Sequence, residues 1–345
     1  MSGVQNLTVT EDEGGQRVDR WFRRRFPHIG QGRIEKMCRK GELRVDGGRV
    51  KSNSRVEAGQ NVRVPPLPDE ALPVDQAPKV TDADAKMIRA CVIYKDDYII
   101  ALNKPPGLAV QGGSKTTRHV DGMAEALKFE KEETPRLVHR LDKDTSGVLI
   151  LGRSRSSAAA LTECFRHRET TKIYWAAVAG SPLPRMGTIK YGLMKAGGHG
   201  SRGEGEKMVC VHPNDLRDTP DAKRAHTDYA MLSNLGGRAS WMALAPITGR
   251  THQLRAHMAE IGHPIIGDGK YGGSGQENLG DGWGSQLGGE ISKKLHLHAR
   301  HLSFEHPFTK ATVTLTAPLP DHMSRTWDQV GWTGEEVPAN PFEPE

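Results

Sequence analysis

The chain has 345 residues, 36% hydrophobic and 26% charged, which is enough for two or three soluble domains with cores of their own. It has no run of about 18 apolar residues and no basic-then-apolar leader at its start, and its cysteines (Cys38, Cys91, Cys164, Cys210) form no CxxC pair. These features argue against a membrane span, a disulfide framework and a zinc site, and they predict a cytoplasmic protein in a reducing cytosol. The net charge of +6 is unevenly spread: residues 15–64 carry 14 Lys and Arg against 5 Asp and Glu, leaving 34 against 37 elsewhere. A basic module on a near-neutral body is the footprint of a nucleic-acid binder.

Residues 1–13 are polar and are expected to be flexible. In VDRWFRRRF, Val18, Trp21 and Phe22 recur at i, i+3 and i+4, with Phe26 one turn on. That spacing predicts a helix with one apolar face, with Arg20, Arg23 and Arg24 outside it. Ile34, Met37 and Cys38 predict a second, shorter helix that Gly41 stops, with Arg33, Lys36, Arg39 and Lys40 on its outer side. ELRVDGGRVK alternates about an Asp46-Gly47-Gly48 turn and predicts a hairpin, and AGQNVRV predicts one further strand. This order of elements, with the phrase RIEKMCRKGELRVDGGRVK, resembles the S4 RNA-binding domain over residues 15–64. The resemblance implies a small RNA-binding domain over 14–64 in which Arg33, Arg39, Lys40, Arg44 and Lys51 face RNA.

Five prolines fall between 65 and 78, so 65–90 is expected to be a linker. From Cys91 the texture changes. VIYKDDYIIALNK predicts two short strands about Lys95-Asp96-Asp97, and YWAAVAG, SWMALAP and ATVTLTAP read as further strands. SSAAALTECFRHR and THQLRAHMAEIG read as helices. Strands dominate without alternating regularly with helices, so the fold class expected for 91–328 is α+β. Residues 195–206 and the glycine-rich 272–289 read as surface excursions. The acidic, proline-rich end, 329–345, reads as a disordered tail.

One stretch raises a chemical question. RLVHRLDKDTSGVLILGRS places Asp142 two residues after Arg140 and beside Lys143, at the mouth of the apolar run Val148-Leu149-Ile150-Leu151. Cations around a carboxylate favour its ionised form, which suits an acid that must stay charged beside an anionic substrate. A plain surface ion-pair cluster is the alternative. KIYWAAV (172–178) and GRTHQLRAH (249–257) share the same character, reactive polar residues at the edge of an apolar element. His252 and His257 are five residues apart and fall on different helical faces, and His296, His298 and His301 have no acidic or thiol ligand beside them, so neither group reads as a metal site. DKDTS also invites comparison with phosphoryl-transfer enzymes that use an aspartate nucleophile. Those need an apolar strand leading into the aspartate, and here the strand follows it.

HRLDKDTSG, KIYWAAV and GRTHQLRAH, in this order and downstream of a basic module, resemble the RluA-type family of RNA pseudouridine synthases over essentially all of 91–320. The resemblance implies a catalytic domain with a mixed, mainly antiparallel sheet, which detaches uracil from C1′ of a uridine in RNA, turns it and rejoins it through carbon. It implies that Asp142 is the catalytic aspartate, Tyr174 the active-site tyrosine and Arg255 the arginine that pairs with the aspartate. Leu254 would line the pocket, and Arg140 would open the RNA and hold the target nucleotide out of its stack. His139 and Thr145, in the same motif, are expected to bind substrate.

These residue types suit the reaction. Breaking an N-glycosidic bond develops positive charge on the sugar, which an ionised carboxylate answers, and an aromatic ring offers a face to a flipped pyrimidine. No cofactor or metal is called for, because the base is rearranged rather than hydrolysed. YKDDYIIALNKPPGLAVQGGS (94–114) and LHLHARHLSFEHP (295–307) are most similar to the branch acting on large-subunit rRNA. That similarity implies 23S ribosomal RNA as partner, several target uridines, and a monomer with no membrane partner. A transfer RNA substrate and a non-catalytic RNA-binding assembly factor are the alternatives. The second is disfavoured because aspartate, tyrosine and arginine are all present.

Overall fold

The computed structural model describes residues 3–67, 80–112, 116–166, 170–196, 207–272, 291–334 and 337–342. The chain divides into two compact units, Met1–Lys79 and Val80–Glu345.

In the first unit, β1 (Gln5–Thr8) and a 3₁₀ turn (Glu11–Glu13) precede two helices, α1 (Val18–Arg25) and α2 (Gln31–Lys40). β2 (Arg44–Val45), β3 (Gly48–Arg49) and β4 (Asn61–Val64) follow, in an antiparallel sheet of order β1-β4-β2-β3. The helices follow the apolar spacing: Val18, Trp21, Phe22, Ile34 and Met37 are fully buried, while Arg20, Arg23, Arg24, Arg33, Arg39 and Lys40 are exposed. In the hairpin Val45 pairs with Gly48, so the turn is Asp46-Gly47, both at positive φ (48° and 76°), one residue shorter than the sequence suggests.

Two expectations about this region need correction. Residues 5–13 are not flexible. β1 pairs with β4 over Gln5↔Val64 to Thr8↔Asn61, and buried Glu13 accepts the Trp21 indole N–H at 3.0 Å and the Arg25 guanidinium at 2.7 Å. The polar composition hid this because β1 is an edge strand with alternate residues facing water. Nor is 65–90 a linker throughout. Leu67 is buried in the first core, and Asp82–Ala90 is a helix, α3, whose start is capped by the Thr81 hydroxyl accepting the Asp84 N–H at 3.1 Å. The stretch between them, 68–79, lies outside the described residues.

The second unit is α+β, as expected. After α3 come β5 (Val92–Lys95), β6 (Ile99–Lys104), the short α4 (Val120–Met123), β7 (Arg136–Leu137), β8 (Ser146–Gly152) and α5 (Arg155–Cys164). Next are β9 (Thr171–Ala179), β10 (Met186–Ile189), β11 (Gly192–Lys195), β12 (Met208–Val211), β13 (Lys223–Arg224), β14 (Thr227–Leu235) and β15 (Ala239–Pro246). α6 (Gln253–Glu260), β16 (Leu297–Glu305), β17 (Thr312–Thr316) and α7 (Asp321–Val330) complete it. Ten strands form one sheet, β10-β14-β15-β9-β16-β8-β6-β5, with β17 on β16 and β7 on β8. The β16–β8 pair is parallel and the others antiparallel, and β11–β13 form a separate small sheet.

β8 reads as a continuous apolar run because both of its faces are covered. Leu149 and Leu151 pack with Ile100, Leu102 and Leu108 on one side; Val148 and Ile150 pack with Ile99, Leu161 and Phe304 on the other. β9 alternates in the same way. Tyr174, Ala176 and Val178 share a cluster with Leu254 and Met258 of α6, while Ile173, Trp175 and Ala177 meet Trp241, Trp327 and Trp332. Tyr174 also packs on the Leu149 cluster, so one continuous sheet face carries both.

The described part of 329–345 is not a disordered tail. Trp332 is buried edge-on against Trp327 at 5.0 Å, and Val337 and Phe342 pack on the same cluster, so apolar anchors spaced among acids and prolines hold the segment down. The excursions expected at 195–206 and 272–289 lie, beyond residues 196 and 272, outside the described residues.

Candidate active site

A cleft of about 1160 Å³ opens on the sheet face that carries Tyr174. Its walls are the turn before β8, the Pro246–His252 loop and the first residues of α6. Three strands bring the parts together: Gly147 of β8 lies opposite Ala299 of β16, and Ala299 opposite Tyr174 of β9. At Gly147, φ is 108° and a Cβ would sit 2.2 Å from the Ala299 carbonyl oxygen. Only glycine permits this approach.

Asp142 sits in the turn that leads into β8, where its carbonyl accepts the Thr145 N–H at 3.2 Å. The next carbonyl, of Lys143, accepts Nζ of Lys104 at 3.0 Å and the Gly107 N–H at 2.9 Å. Lys104 is fully buried and also donates to the carbonyls of Pro105 and Leu108, each at 2.9 Å. Burial pushes its ammonium down to about 8, against the pull of Asp144 and Asp142, so it remains a cation at neutral pH. The turn carrying Asp142 is therefore fastened from beneath.

The cation that reaches Asp142 is not a sequence neighbour. Arg140 and Lys143 are exposed and pair with no carboxylate among the described residues. Asp142 Oδ2 instead lies 3.5 Å from Arg255 Nη1 and 3.9 Å from His252 Nε2. The expected Arg255–Asp142 pairing is thus present, but it is the weaker of two. The fork of Arg255 grips Asp268, with Nε and Nη2 at 2.7 and 2.8 Å from its two oxygens. Burial pushes the Asp268 carboxyl up, but Arg255 and the backbone N–H groups of Lys270 and Tyr271 more than offset this and leave it below the usual carboxylate range. The Tyr271 ring lies 5.3 Å from the Arg255 guanidinium, and its hydroxyl meets His252 Nδ1 at 2.9 Å.

Other predicted residues fall as follows. Tyr174 lines the cleft, and burial followed by the Asp142 charge raises its phenol above the ordinary tyrosine range, so it is held protonated. Leu254 is buried in the wall, and Arg140 is exposed at the cleft. Thr145 is buried there, and its Oγ1 has no hydrogen-bond partner among the described residues. His139 lines the cleft; its Nε2 accepts the Ile150 N–H at 3.0 Å, which ties the Arg140–Asp142 segment to β8, and burial depresses the ring to about 3. In the first unit Arg33, Arg39, Lys40 and Lys51 are exposed, whereas Arg44 is half-buried and closes the hairpin through the Gly41 and Gly47 carbonyls at 3.0 and 3.3 Å.

Sequence reasoning missed Asp268, Tyr271, His252 and Gln253. Gln253 is buried and holds the loop at the cleft wall, accepting from the Thr248 hydroxyl at 2.7 Å and the Arg250 N–H at 3.1 Å. The signal available was an arginine on an apolar stretch of helix, which demands a buried acid nearby.

A carboxylate beside a fixed guanidinium, in a concave site walled by a protonated tyrosine and an aliphatic residue, suits charge development on a sugar with an aromatic base stacked alongside. Residues 98–260 match the family described as RNA pseudouridylate synthase. Over 325 residues the chain is 34% identical to Ribosomal large subunit pseudouridine synthase C of Vibrio cholerae, covering 93% of this chain and 95% of that one. It is 35% identical over 323 residues to the protein of the same name from Yersinia pestis, covering 93% of each. The solved structure of Human RNA Pseudouridylate Synthase Domain Containing 4 superimposes with a TM-score of 0.57 at 32% identity, covering 72% of this chain and 95% of that one. Identity of about a third, held across nearly the full length of the bacterial relatives, goes beyond a common architecture: the chain belongs to the RNA pseudouridylate synthase family.

Proposed function

We propose that this protein isomerises uridine to pseudouridine in large-subunit ribosomal RNA, acting on several uridines of 23S rRNA. The observation that carries the reading is the placement of Asp142 inside the cleft, 3.5 Å from an arginine that a buried aspartate holds in position. The reaction breaks the N1–C1′ bond and forms a C5–C1′ bond; C5 gives up its proton and N1 ends protonated, so composition is unchanged. Asp142 answers the positive charge that builds on the sugar. Arg255 keeps the carboxylate aimed. Tyr174 offers its ring to the uracil, with Leu254 beside it and the unpartnered Thr145 hydroxyl available as a polar contact. A base paired in a helix cannot enter such a concavity, so the nucleotide must be extruded, and Arg140, exposed at the cleft, would occupy the gap it leaves.

The first unit supports the same reading as an S4-like RNA holder, with Arg33, Arg39, Lys40 and Lys51 exposed to meet phosphates and Arg44 shaping the hairpin. The relatives named above act, by their names, on the ribosomal large subunit. The test is to incubate the protein with unmodified 23S rRNA and, separately, with unmodified tRNA, and to map pseudouridine at nucleotide resolution. Modification at several 23S positions is expected, and Asp142→Asn, nearly isosteric, should abolish it while RNA binding persists. Modification of tRNA alone would overturn the substrate, and activity in the Asp142→Asn protein would remove that residue from its role.

A further inference from the structure

His252 is the first residue of interest after the catalytic set, because its backbone is left-handed (φ 52°) at the residue that precedes α6. Asp46, Phe129 and Lys310 are the other non-glycine residues at positive φ among those described, and none of them lines the cleft. Such a conformation is held against a cost, and at a site wall it points to a use for the side chain. The use can be read from the hydrogen bonds. The backbone N–H of Met208 donates to the Tyr271 hydroxyl oxygen at 2.9 Å. The hydroxyl's own proton then has one acceptor among the described contacts, His252 Nδ1 at 2.9 Å. A neutral imidazole that accepts at Nδ1 carries its proton on Nε2. Burial lowers the His252 pKa below the ordinary histidine value, with Asp142 opposing, and this favours the neutral ring.

Nε2–H therefore faces Asp142 Oδ2 across 3.9 Å, too far for a direct hydrogen bond. An oxygen about 2.8 Å from each atom would bridge that gap. Of the groups that a uridine in RNA carries, only a hydroxyl fits both sides, accepting from Nε2–H and donating to the carboxylate; a uracil carbonyl could accept but not donate. The sugar must lie against Asp142 if that residue answers charge at C1′, and the ribose hydroxyl adjacent to C1′ is the 2′-OH. Resting on the function proposed above, we infer that His252 and Asp142 together bind the ribose 2′-hydroxyl of the target nucleotide, so that the site distinguishes RNA from DNA at the reacting residue itself. Tyr271 is a positioning residue in this arrangement, since it sets the tautomer of His252.

The test is a substrate-and-protein cycle. A short hairpin containing one mapped target uridine is made twice, once as ribonucleotide throughout and once with 2′-deoxyuridine at the target alone. Single-turnover rates are measured for the wild type and for His252→Asn. Asparagine tolerates a left-handed backbone but is too short to present a donor where Nε2 stands. Removing the 2′-hydroxyl also changes the intrinsic reactivity of the glycosidic bond, but that change is common to both proteins and cancels in the ratio. The deoxy substitution is expected to slow the wild type at least about tenfold more than it slows His252→Asn, as loss of a hydrogen bond to a buried polar partner predicts. Tyr271→Phe should fall between the two. Equal deoxy effects in wild type and variant, within about twofold, would overturn the inference even with full activity on the ribonucleotide hairpin. Equal deoxy effects in the wild type and in Tyr271→Phe would overturn the tautomer of His252 on which it rests. Absence of pseudouridine in the all-ribo hairpin with wild type would instead remove the proposed function, and this inference with it.

Discussion

Arg255 gives its two-pronged face to Asp268, at 2.7 and 2.8 Å, and reaches Asp142 only with Nη1, at 3.5 Å. The buried aspartate is the anchor and the cleft aspartate the client. Such an arrangement is needed because a guanidinium free to choose would close its fork on Asp142 and block both oxygens. With Asp268 occupying the fork, one N–H remains to orient Asp142 while leaving it open to a substrate.

Asp268→Asn should therefore harm both stability and turnover. The amide keeps the shape but leaves a buried guanidinium without its counter-charge, a loss of about 3 kcal/mol or more. Displacement of Nη1 should cut single-turnover rates by about two orders of magnitude. RNA affinity should change little, because neither carboxylate needs a phosphate. Denaturant unfolding and single-turnover kinetics on the same preparation check this, and an unaltered unfolding free energy would mean that Asp268 is not the anchor.

What could be read from sequence and what could not divides along a physical line. Apolar residues at i, i+3 and i+4 announced α1 and α2, and apolar-rich stretches announced β8, β9 and α6, because a buried element must carry apolar side chains. HRLDKDTSG announced Asp142, because its residue types are unusual together. Asp268 did not announce itself. In IIGDGKYGG it looks like a turn acceptor, and it is one, since its Oδ1 accepts the Lys270 and Tyr271 N–H groups at 3.0 and 3.1 Å. Its second task depends on an arginine that only the fold brings beside it. The assumption that Arg140 and Lys143 would hold Asp142 failed for the same reason, since sequence adjacency does not aim side chains at one another. β1, α3 and the anchors Trp332, Val337 and Phe342 were missed because each region holds only a few apolar residues scattered in otherwise polar stretches.

Gly147→Ala tests the close approach that forms the cleft floor. A methyl group there would meet the Ala299 carbonyl oxygen at 2.2 Å, with backbone on both sides and φ at 108°. Neither strand can give way without disturbing the β8–β16–β9 register. Destabilisation of more than about 3 kcal/mol is expected, combining steric overlap with backbone strain. Thermal or urea unfolding measures it, and a loss under 1 kcal/mol on the order-of-magnitude scale of surface substitutions would show that the strands part easily there.

The basic face of α2 is tested by salt. Arg33, Arg39 and Lys40 are exposed on one short helix, and neutralising them to glutamine removes charge without touching the core formed by Ile34 and Met37. If each meets a phosphate, the slope of log affinity against log salt should flatten by about 0.7–0.9 per residue. Catalysis at saturating RNA should persist. An unchanged slope measured by filter binding across a salt series would place the RNA contacts elsewhere.

The last prediction concerns acid. His296 and His298 are fully buried, and burial depresses each from an ordinary 6.5 to about 4. Both are committed as neutral rings: His298 Nδ1 pairs with the Ser146 hydroxyl at 2.9 Å and Nε2 with the Ala317 carbonyl at 3.1 Å, while His296 spans the Lys294 carbonyl and the Thr326 hydroxyl at 2.8 and 2.9 Å. The unfolded chain takes up protons at the ordinary value, and the folded protein does so only near 4, so below about 6.5 the unfolded state binds more protons. The stabilising contribution is thus complete above about pH 6.5 and is lost as pH falls toward about 4, at up to ~1.4 kcal/mol per pH unit for each ring. Urea unfolding of the second unit, followed through the Trp175–Trp241–Trp327–Trp332 cluster at pH 7.5, 6 and 5, about the range set by the histidine pKa, should show stability falling steadily below pH 6.5. His298→Gln, which cannot titrate, should reduce the slope by about one proton's worth. A stability profile flat from pH 7.5 to 5 would mean that these rings gain protons in the folded state as readily as in the unfolded chain, against their burial.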